Sequence, residues 1–389
     1  MAMQIDEATR SYEHWLSTYM PLIPADLALK HAAMRRDAFS FLRATFYRWM
    51  QLWPSICADV AAAPALLAVG DLHLENFGTW RDREGRLTWG VNDFDETALL
   101  PYTNDLMRLA VSARLAIKTD QLSLSPKAAS EALLTGYLEG LQSSGQPFVL
   151  AEQHSWLRDL ATSKLRHPVK FWKKMQALPP AQGPVPQSLR LLFNRLMPEP
   201  GLSWSLHHRV SGVGSLGRPR YVALADWQGG MIAREAKALA PSAVVWARGG
   251  RDTTILYQSI VDQAVRSADP FVQLHEIWIV RRLSPYCSRI DLTALPKKRD
   301  EGQLLYTMGQ ETANVHLGSR DAIGPVRRDL SKRKGDWLRA GSKAMARVMF
   351  TEWKKWVDRP LTKDARSRAG DPKTRKHIPR ILNPRFGRW

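Results

Sequence analysis

Four polar residues between positions 71 and 95 have the types and spacing that phosphoryl transfer requires. Asp71 and Asn76 lie in VGDLHLEN, directly after the apolar run ALLAV, and Asp93 and Asp95 lie in VNDFDE. Phosphoryl transfer needs a carboxylate to orient the acceptor hydroxyl and oxygen ligands to hold Mg²⁺ on the phosphates. We therefore predict that Asp71 is the catalytic base and that Asn76, Asp93 and Asp95 are metal ligands.

The segment between these residues predicts a hairpin that brings them together. FGTW and RLTWGVND are short extended runs joined by the turn DREG, a pattern typical of two paired strands. Such a hairpin would return Asp93 to the loop that carries Asp71. The alternative is that Asp71 and Asn76 only make turn hydrogen bonds, and that NDFDE is a solvated loop.

A glycine-rich segment occurs much later, at Gly212-Val-Gly-Ser-Leu-Gly217. A dinucleotide-binding fingerprint would continue into a helix, but here a proline and the extended run RYVAL follow. A strand, a glycine turn and a second strand suit a loop whose backbone N–H groups cover phosphates. We expect Gly212, Gly214, Ser215 and Gly217 to contact a nucleotide, the alternative being an ordinary glycine-rich hairpin.

The next predicted strand, GMIAREAK, carries two candidates for a phosphate-pairing cation, Arg234 and Lys237. Side chains alternate along a strand, so these two residues lie on opposite faces and only one can point at a phosphate. The sequence leaves the choice between them open. Asp262, in the helix that follows, is a candidate acidic partner.

These motifs resemble known families. G-D-x-H-x-x-N followed by D-F-D resembles the Brenner-type motif of aminoglycoside phosphotransferases, choline kinases and homoserine kinases, which belong to the protein-kinase-like superfamily. Val69 stands where those enzymes usually have His. The resemblance implies ATP and Mg²⁺ as cofactors and transfer of the γ-phosphate to a hydroxyl of a small molecule. It also implies that the acceptor pocket is built by helices between about Leu106 and Lys174.

Two further likenesses extend this resemblance. Asp105-Leu-Met-Arg-Leu-Ala resembles the helix that follows the metal-binding segment, which implies that Asp105 braces the loop of Asp71. Together with GVGSLG and an H-x-x-S-R-D-like stretch, the motifs also resemble a large bacterial family known only as a domain of unknown function. That likeness runs from about Phe39 to Asp321.

The order of the parts indicates a rearranged chain. In kinases the glycine loop precedes the catalytic loop, whereas Gly212 here follows Asp71 by about 140 residues. We therefore predict an α+β, protein-kinase-like fold of two lobes that is circularly permuted, with a mostly helical large lobe and a small antiparallel β-rich lobe. A separate glycine-containing domain is the alternative.

The predicted organisation has five parts. A helical lobe with the catalytic loop and hairpin covers residues 1–177, a Pro-rich linker 178–204, and the β-rich nucleotide-binding lobe 205–295. C-terminal helices packing on the large lobe cover 296–360, and a basic tail covers 361–389.

Composition limits the class of protein. The chain has 389 residues, 44% of them hydrophobic, and two cysteines, Cys57 and Cys287, without metal-ligand spacing. With no apolar run long enough to span a bilayer and no secretory signal pattern at the start, we expect a cytoplasmic protein. The net charge of +19 favours an anionic partner, and part of the excess lies in the basic tail.

Two other functions remain open at this stage. A kinase-like cleft can transfer AMP to protein side chains or bind ATP as a regulatory pseudokinase. The charge also permits a basic nucleic-acid-binding protein whose acidic loop is structural, although no aromatic-rich nucleic-acid motif accompanies it.

Overall fold

The computed structural model describes residues 3–150, 154–161, 167–285, 287 and 298–359. They form an α+β fold with many helices and three small antiparallel sheets, as expected for the fold class. The basic tail predicted at 361–389 lies outside the described residues. In the part of the chain that the structure describes, no helix has the length and hydrophobicity to cross a membrane.

The chain begins with five helices that contribute largely buried faces to the core. They are α1 Ile5–Ser17, α2 Pro24–Arg36, α3 Ala38–Ala44, α4 Phe46–Ile56 and α5 Ala58–Ala61. Pro24 occupies the first turn of α2, where its missing N–H has no helical partner to lose. Asp37 caps α3 by accepting a 2.6 Å hydrogen bond from Ser40 N. Every residue of α3 is buried, so this short helix lies inside the protein.

The predicted hairpin is present. Its strands, and the strand pair that flanks it, are β1 Ala65–Ala68, β2 Phe77–Arg81, β3 Leu87–Val91 and β4 Ala98–Pro101. β2 pairs antiparallel with β3, and β1 with β4. In the turn, Asp82 Oδ1 accepts hydrogen bonds from Glu84 N (3.1 Å) and Arg86 N (2.9 Å), which closes the hairpin.

Helices dominate the next part, as the periodicity predicts, but they extend further than expected. The elements are α6 Thr103–Lys118, α7 Pro126–Gln142, a short strand β5 Phe148–Val149 that joins β3, α8 Ser155–Ala161, α9 Pro168–Gln176 and α10 Gln187–Leu196. Helix α10 lies within residues 178–204, which the prolines led us to expect as a linker. Its buried residues Leu189, Leu192 and Phe193 recur at three- and four-residue spacing, so one face of the helix is stabilised by burial.

A five-stranded antiparallel sheet follows, with short helices between its strands. The elements are β6 Ser205–His208, β7 Arg220–Trp227, β8 Gly230–Ala238, α11 Ala243–Ala247, α12 Tyr257–Gln263, β9 Gln273–His275 and β10 Trp278–Leu283, in the spatial order β6-β7-β8-β10-β9. Tyr221 and Ala223 belong to the main core. Val222 and Leu224 face the other way and pack with Met175 of α9.

Three long helices complete the described chain and pack on the earlier helices. They are α13 Lys298–His316, α14 Arg320–Lys332 and α15 Trp337–Asp358. α13 lies against α7 so closely that a Cβ on Gly136 would lie 1.9 Å from Tyr306 O. α15 packs on α6. α6, which carries Asp105, is thereby held from several sides.

Candidate functional site

The loop after β1, residues 69–76, is called the Asp71 loop, and buried hydrogen bonds fix its backbone. Asp105 Oδ2 accepts from Val69 N at 2.7 Å, and its Oδ1 accepts from Gly70 N at 3.0 Å. Asn104 Nδ2 donates to Gly70 O at 3.0 Å. The predicted bracing role of Asp105 is confirmed. Fully buried His316 lies 3.1 Å from Asp105 Oδ2, which makes it part of the same support.

The end of the Asp71 loop joins it to the hairpin. His73 caps a single 3-10 turn, Leu74–Asn76, and Asn76 Oδ1 accepts a 2.7 Å hydrogen bond from His73 N. Asn76 O accepts from Asn92 N at 2.8 Å, so the residue before Asp93 is tied to the loop. Since an amide oxygen has two lone pairs, the side chain of Asn76 keeps one for a second partner. Asn76 and Asp93 line one pocket, as the hairpin predicted.

Asp71 is held by an arginine that the sequence did not single out. Arg108 Nε donates to Asp71 Oδ1 at 2.6 Å, and Arg108 Nη2 forms an ion pair with the same oxygen. The guanidinium is fully buried and stacks over the rings of Phe46 and Trp49, at 5.0 and 5.1 Å from their centroids. Burial raises the pKa of Asp71 to about 7, although the charge of Arg108 acts in the opposite direction. A carboxylate with this pKa is suited to accept a proton near neutral pH.

Asp93 and Asp95 share a lysine from the sheet. Lys237 Nζ lies 3.3 Å from Asp93 Oδ1 and 2.6 Å from Asp95 Oδ2. The side chain of Asp93 is 37% exposed, whereas that of Lys237 is 1% exposed. Partial burial acts to raise the pKa of Asp93, but the charges of Lys237, Arg281 and Arg220 and a hydrogen bond with Asp95 together hold that pKa below its usual range. Burial and the charge of Asp93 raise the pKa of Asp95.

The two candidate cations lie on opposite faces of β8, as strand alternation predicts. Lys237 reaches the carboxylates, while Arg234 lies on the other face of β8, 4.6 Å from the ring of Phe271 and opposite Arg282. Strand alternation turns Arg234 away from the carboxylates, so Lys237 is the candidate whose side chain reaches them. Asp262 is exposed and accepts from Gln258, so it is not the partner of Lys237.

The glycine loop, residues 212–217, lies across the pocket from the Asp71 loop. Gly212, Gly214 and Ser215 line the same pocket as Asp71, whereas Gly217 packs on Leu27 of α2. A Cβ built on Gly214 would lie 2.9 Å from Arg43 O and 3.7 Å from Asp71 Oδ2. Arg220 Nη2 donates to Ser215 Oγ at 2.7 Å, which holds the turn from the strand side. The cavity left between the two loops has a volume of about 70 Å³.

The wall of this pocket comes from an unexpected part of the chain. Lining residues from the N-terminal helices include Tyr12, Lys30, Phe46 and Tyr47. The acceptor pocket was expected from helices after Leu106, and none of the lining residues belongs to them. No sequence motif marks α1 or α2 as contributors. The sequence could have indicated Arg108 as a residue of the site, because it lies one helical turn after Asp105 in the DLMRLA motif.

The donor set suits Mg²⁺. Asn76, Asp93 and Asp95 line the pocket together and provide only hard oxygen donors. Among the described residues there is no group of three or more His, Cys, Asp or Glu side chains placed to hold a metal. Mg²⁺ is usually held by one or two carboxylates, with substrate phosphates and water completing its shell, so two carboxylates and an amide are compatible with it.

Comparisons with known proteins support the likeness to a bacterial family of unknown function and do not extend to the kinases. No curated protein and no solved structure matches this chain. A family model does match, over residues 22–156 rather than up to Asp321. This segment contains Lys30, Asp71, Asp93 and Asp105 but not the glycine loop. The matching family is described as "Uncharacterized protein conserved in bacteria (DUF2252)", the kind of bacterial family that the motifs predicted.

Proposed function

We propose that this protein is a phosphotransferase that moves the γ-phosphate of ATP to a hydroxyl group of a small molecule. The observation that carries the proposal is the shared pocket. Asp71, Asp93 and the glycine loop line it together, although the glycine loop lies about 140 residues later in the chain. A carboxylate, a Mg²⁺-type donor set and a glycine-rich turn facing one space are the parts that phosphoryl transfer uses.

Each residue has a role in this mechanism. Asp71 orients the acceptor hydroxyl and takes its proton, while Arg108 holds the carboxylate in place. Asn76, Asp93 and Asp95 would hold Mg²⁺, which when bound neutralises charge on the phosphate oxygens. The backbone N–H groups of the glycine loop bind phosphate oxygens, and the charge of Lys237 lies beside the two carboxylates.

The proposed architecture is a kinase-like pair of lobes in permuted order. The antiparallel sheet with the glycine loop is the nucleotide lobe, and the helices with the Asp71 loop form the other lobe. The glycine loop connects two strands, β6 and β7, and this order of elements supports the interpretation. So does the position of Lys237 on the next strand, β8.

Nucleotide binding requires the cleft to open. Pockets for small molecules have volumes of roughly 300–1,000 Å³. The cavity of about 70 Å³ is far smaller. The glycine loop must therefore move away from Arg43 and Asp71 for ATP to enter, and it closes over the phosphates afterwards.

The test uses ATP labelled at either the α- or the γ-phosphate, with a panel of hydroxyl-bearing metabolites. We expect the γ-label to move to an acceptor. Asp71→Asn should retain Mg²⁺–ATP affinity and lower turnover by about 10²- to 10⁴-fold, because the acceptor proton has no base. Asp93→Ala should weaken Mg²⁺–ATP binding itself. Asp336→Ala, at an exposed ion pair on α15's N-terminal side, is the matched control.

Three outcomes would contradict the proposal. They are transfer of the α-label, full turnover in Asp71→Asn, and absence of nucleotide binding with both Mg²⁺ and Mn²⁺. Transfer of the α-label to protein would replace phosphoryl transfer with AMP transfer at the same site.

A further inference from the structure

Lys30 is a buried cation that the proposed mechanism does not use. It lies on α2, is 2% exposed, and lines the same pocket as Asp71. Its Nζ lies 5.9 Å from the ring centroid of Tyr12 and 5.8 Å from that of Tyr47. Within the described residues it has neither a hydrogen-bond acceptor nor a carboxylate within ion-pair distance. Glu13, whose charge acts on it, is paired with His31 at 2.7 Å.

The other cations around the pocket all have carboxylate partners. Arg43 pairs with Glu75 at 2.8 Å, and Arg218 with Glu96 at 2.9 Å. Arg108 holds Asp71, and Lys237 holds Asp93 and Asp95. Among the described lining residues, Lys30 alone presents an ammonium group with only aromatic rings beside it. Burial lowers its pKa, which is the expected response of a charge removed from water without a partner.

An unpaired buried charge destabilises a protein unless something compensates it. The two tyrosine rings give part of that compensation through cation–π attraction. Their hydroxyl groups are engaged elsewhere, Tyr12 with Arg218 and Tyr47 with Thr9. Lys30 also lines the cavity, and an anion bound in the cavity would be the partner that its charge lacks.

The position of Lys30 separates it from the metal-binding end. The carboxylates whose charges act on Lys30 are Glu13, Glu96 and Asp71, whereas those acting on Lys237 are Asp93 and Asp95. Lys30 comes from the helical wall and Lys237 from the sheet. An anion bound by Lys30 would therefore lie on the helical side of the pocket, with the proposed base, and not beside the carboxylates that Lys237 holds.

We propose that Lys30 binds a carboxylate or phosphate group of the acceptor, so that the acceptor is a small anionic hydroxy compound. This inference rests on the proposed function, because it places the acceptor hydroxyl at Asp71. Since Lys30 and Asp71 line the same cavity, the anionic group and the hydroxyl of the acceptor lie close together. The acceptor class is then short hydroxy acids or short polyol phosphates, and neutral polyols and amino sugars are disfavoured.

The test measures binding of inorganic phosphate and of acetate by calorimetry, in the absence of nucleotide and again with saturating Mg²⁺–ADP. The proteins are the full chain, Lys30→Met, and the control Lys127→Met, whose lysine is 71% exposed on α7. At least one probe should bind the full chain and the control equally, and Lys30→Met at least tenfold more weakly. Affinity for Mg²⁺–ADP should be the same in all three. The melting temperature of Lys30→Met should equal or exceed that of the full chain, because methionine removes a buried charge at similar volume.

A second measurement needs no variant. Brief treatment of the full chain with acetic anhydride, read by mass spectrometry, should acetylate Lys30 more slowly when phosphate or acetate is bound. Lys127 in the same sample should react at an unchanged rate.

The outcomes separate the two proposals. Equal anion affinity in Lys30→Met, no protection of Lys30, or no anion binding by the full chain overturns the acceptor class and leaves nucleotide transfer untouched. Loss of Mg²⁺–ADP affinity in Lys30→Met also overturns it, since Lys30 would then serve the nucleotide. Failure of the full chain to bind Mg²⁺–ATP contradicts the phosphotransferase instead.

Discussion

The two loops that face the pocket are held in different ways. The Asp71 loop is fixed by buried side chains on α6, with Asp105 accepting from two of its N–H groups and Asn104 donating to a carbonyl. The glycine loop has one main-chain hydrogen bond to the helical part among the described residues, from Ile23 N to Gly217 O at 2.8 Å. Its other hydrogen bonds are local or come from Arg220 on its own sheet.

This difference separates a rigid half of the site from a movable half. A network that satisfies buried backbone groups resists change, because breaking it leaves those groups without partners. A loop held by few contacts can open at low free energy. The proposed chemistry needs both properties, since the base and metal ligands must stay in place while the phosphate cover moves.

The largest expected effect comes from adding one methyl group to the rigid half. Gly70 has a φ of +82°, and a Cβ there would lie 2.2 Å from Glu96 O, a backbone atom. Gly70→Ala should lower the free energy of unfolding by about 3 kcal/mol or more, since it combines an unfavourable conformation with a clash. Urea unfolding measures the change.

The control is Gly85→Ala in the hairpin turn. Gly85 has a similar φ of +73°, but nothing lies within 4 Å of its Cβ position. Gly85→Ala should lower the free energy of unfolding by about 1 kcal/mol, because only the unfavourable backbone conformation contributes there. Equal losses at the two positions would show that the close contact with Glu96 O does not hold the Asp71 loop.

Nucleotide binding should affect the two loops unequally. With a hundredfold excess of Mg²⁺–ATP over its dissociation constant, the free energy of unfolding should rise by about 2.7 kcal/mol. Amide hydrogen exchange in residues 212–217 should slow on binding, whereas residues 69–76 should already be protected without ligand. Removal of the metal with EDTA should reverse both the rise in the free energy of unfolding and the slower exchange in residues 212–217. Equal protection of the two loops before and after binding would contradict the division into a fixed and a movable half.

The pH dependence of catalysis should report the buried base. Asp71 accepts a proton only when ionised, and its pKa is raised to about 7. The value of kcat/KM should therefore fall by roughly tenfold for each pH unit below that pKa and level off above it. The charge of Arg108 lowers the pKa of Asp71, so Arg108→Gln should move the midpoint to higher pH. A profile that is flat between pH 5 and 8, with the protein folded throughout, would remove Asp71 as the base.

The smallest effect is expected in the movable half. A Cβ on Gly214 meets Arg43 O at 2.9 Å, so Gly214→Ala requires the glycine loop to retreat by a few tenths of an ångström. We expect the KM for ATP to rise by about three- to tenfold, near 1 kcal/mol, with little change in melting temperature. Gly230→Ala, at the first residue of β8, where nothing lies within 4 Å of the Cβ position, is the control and should change neither quantity. If Gly214→Ala lowered the melting temperature as much as Gly70→Ala does, the glycine loop would belong to the rigid half of the site.

Much of the site could be predicted from local patterns. The spacing of Asp71, Asn76 and Asp93 around a hairpin is a short-range feature, and the structure has that hairpin with Asn76, Asp93 and Asp95 at one pocket. Asp105 was also predictable, because the helix that carries it follows directly in the chain. Helix α10 was missed, since the prolines around it suggested an irregular linker and its stability comes from burial against other elements.

Contacts between distant parts of the chain could not be predicted in the same way. Strand alternation put Arg234 and Lys237 on opposite faces of β8, but which face meets Asp93 depends on how the sheet packs on the helices. The same holds for Lys30, which is one of many helical lysines until the packing of α2 places it in the pocket.

The sequence by itself therefore determined the α+β composition, the hairpin and the acidic donor set, because strand alternation, turn residues and short spacings act over a few residues. The tertiary structure decided which cation serves the carboxylates, which helices line the pocket, and that the glycine loop lies opposite Asp71. These relations depend on burial and close packing between segments far apart in the chain, for which no local pattern exists.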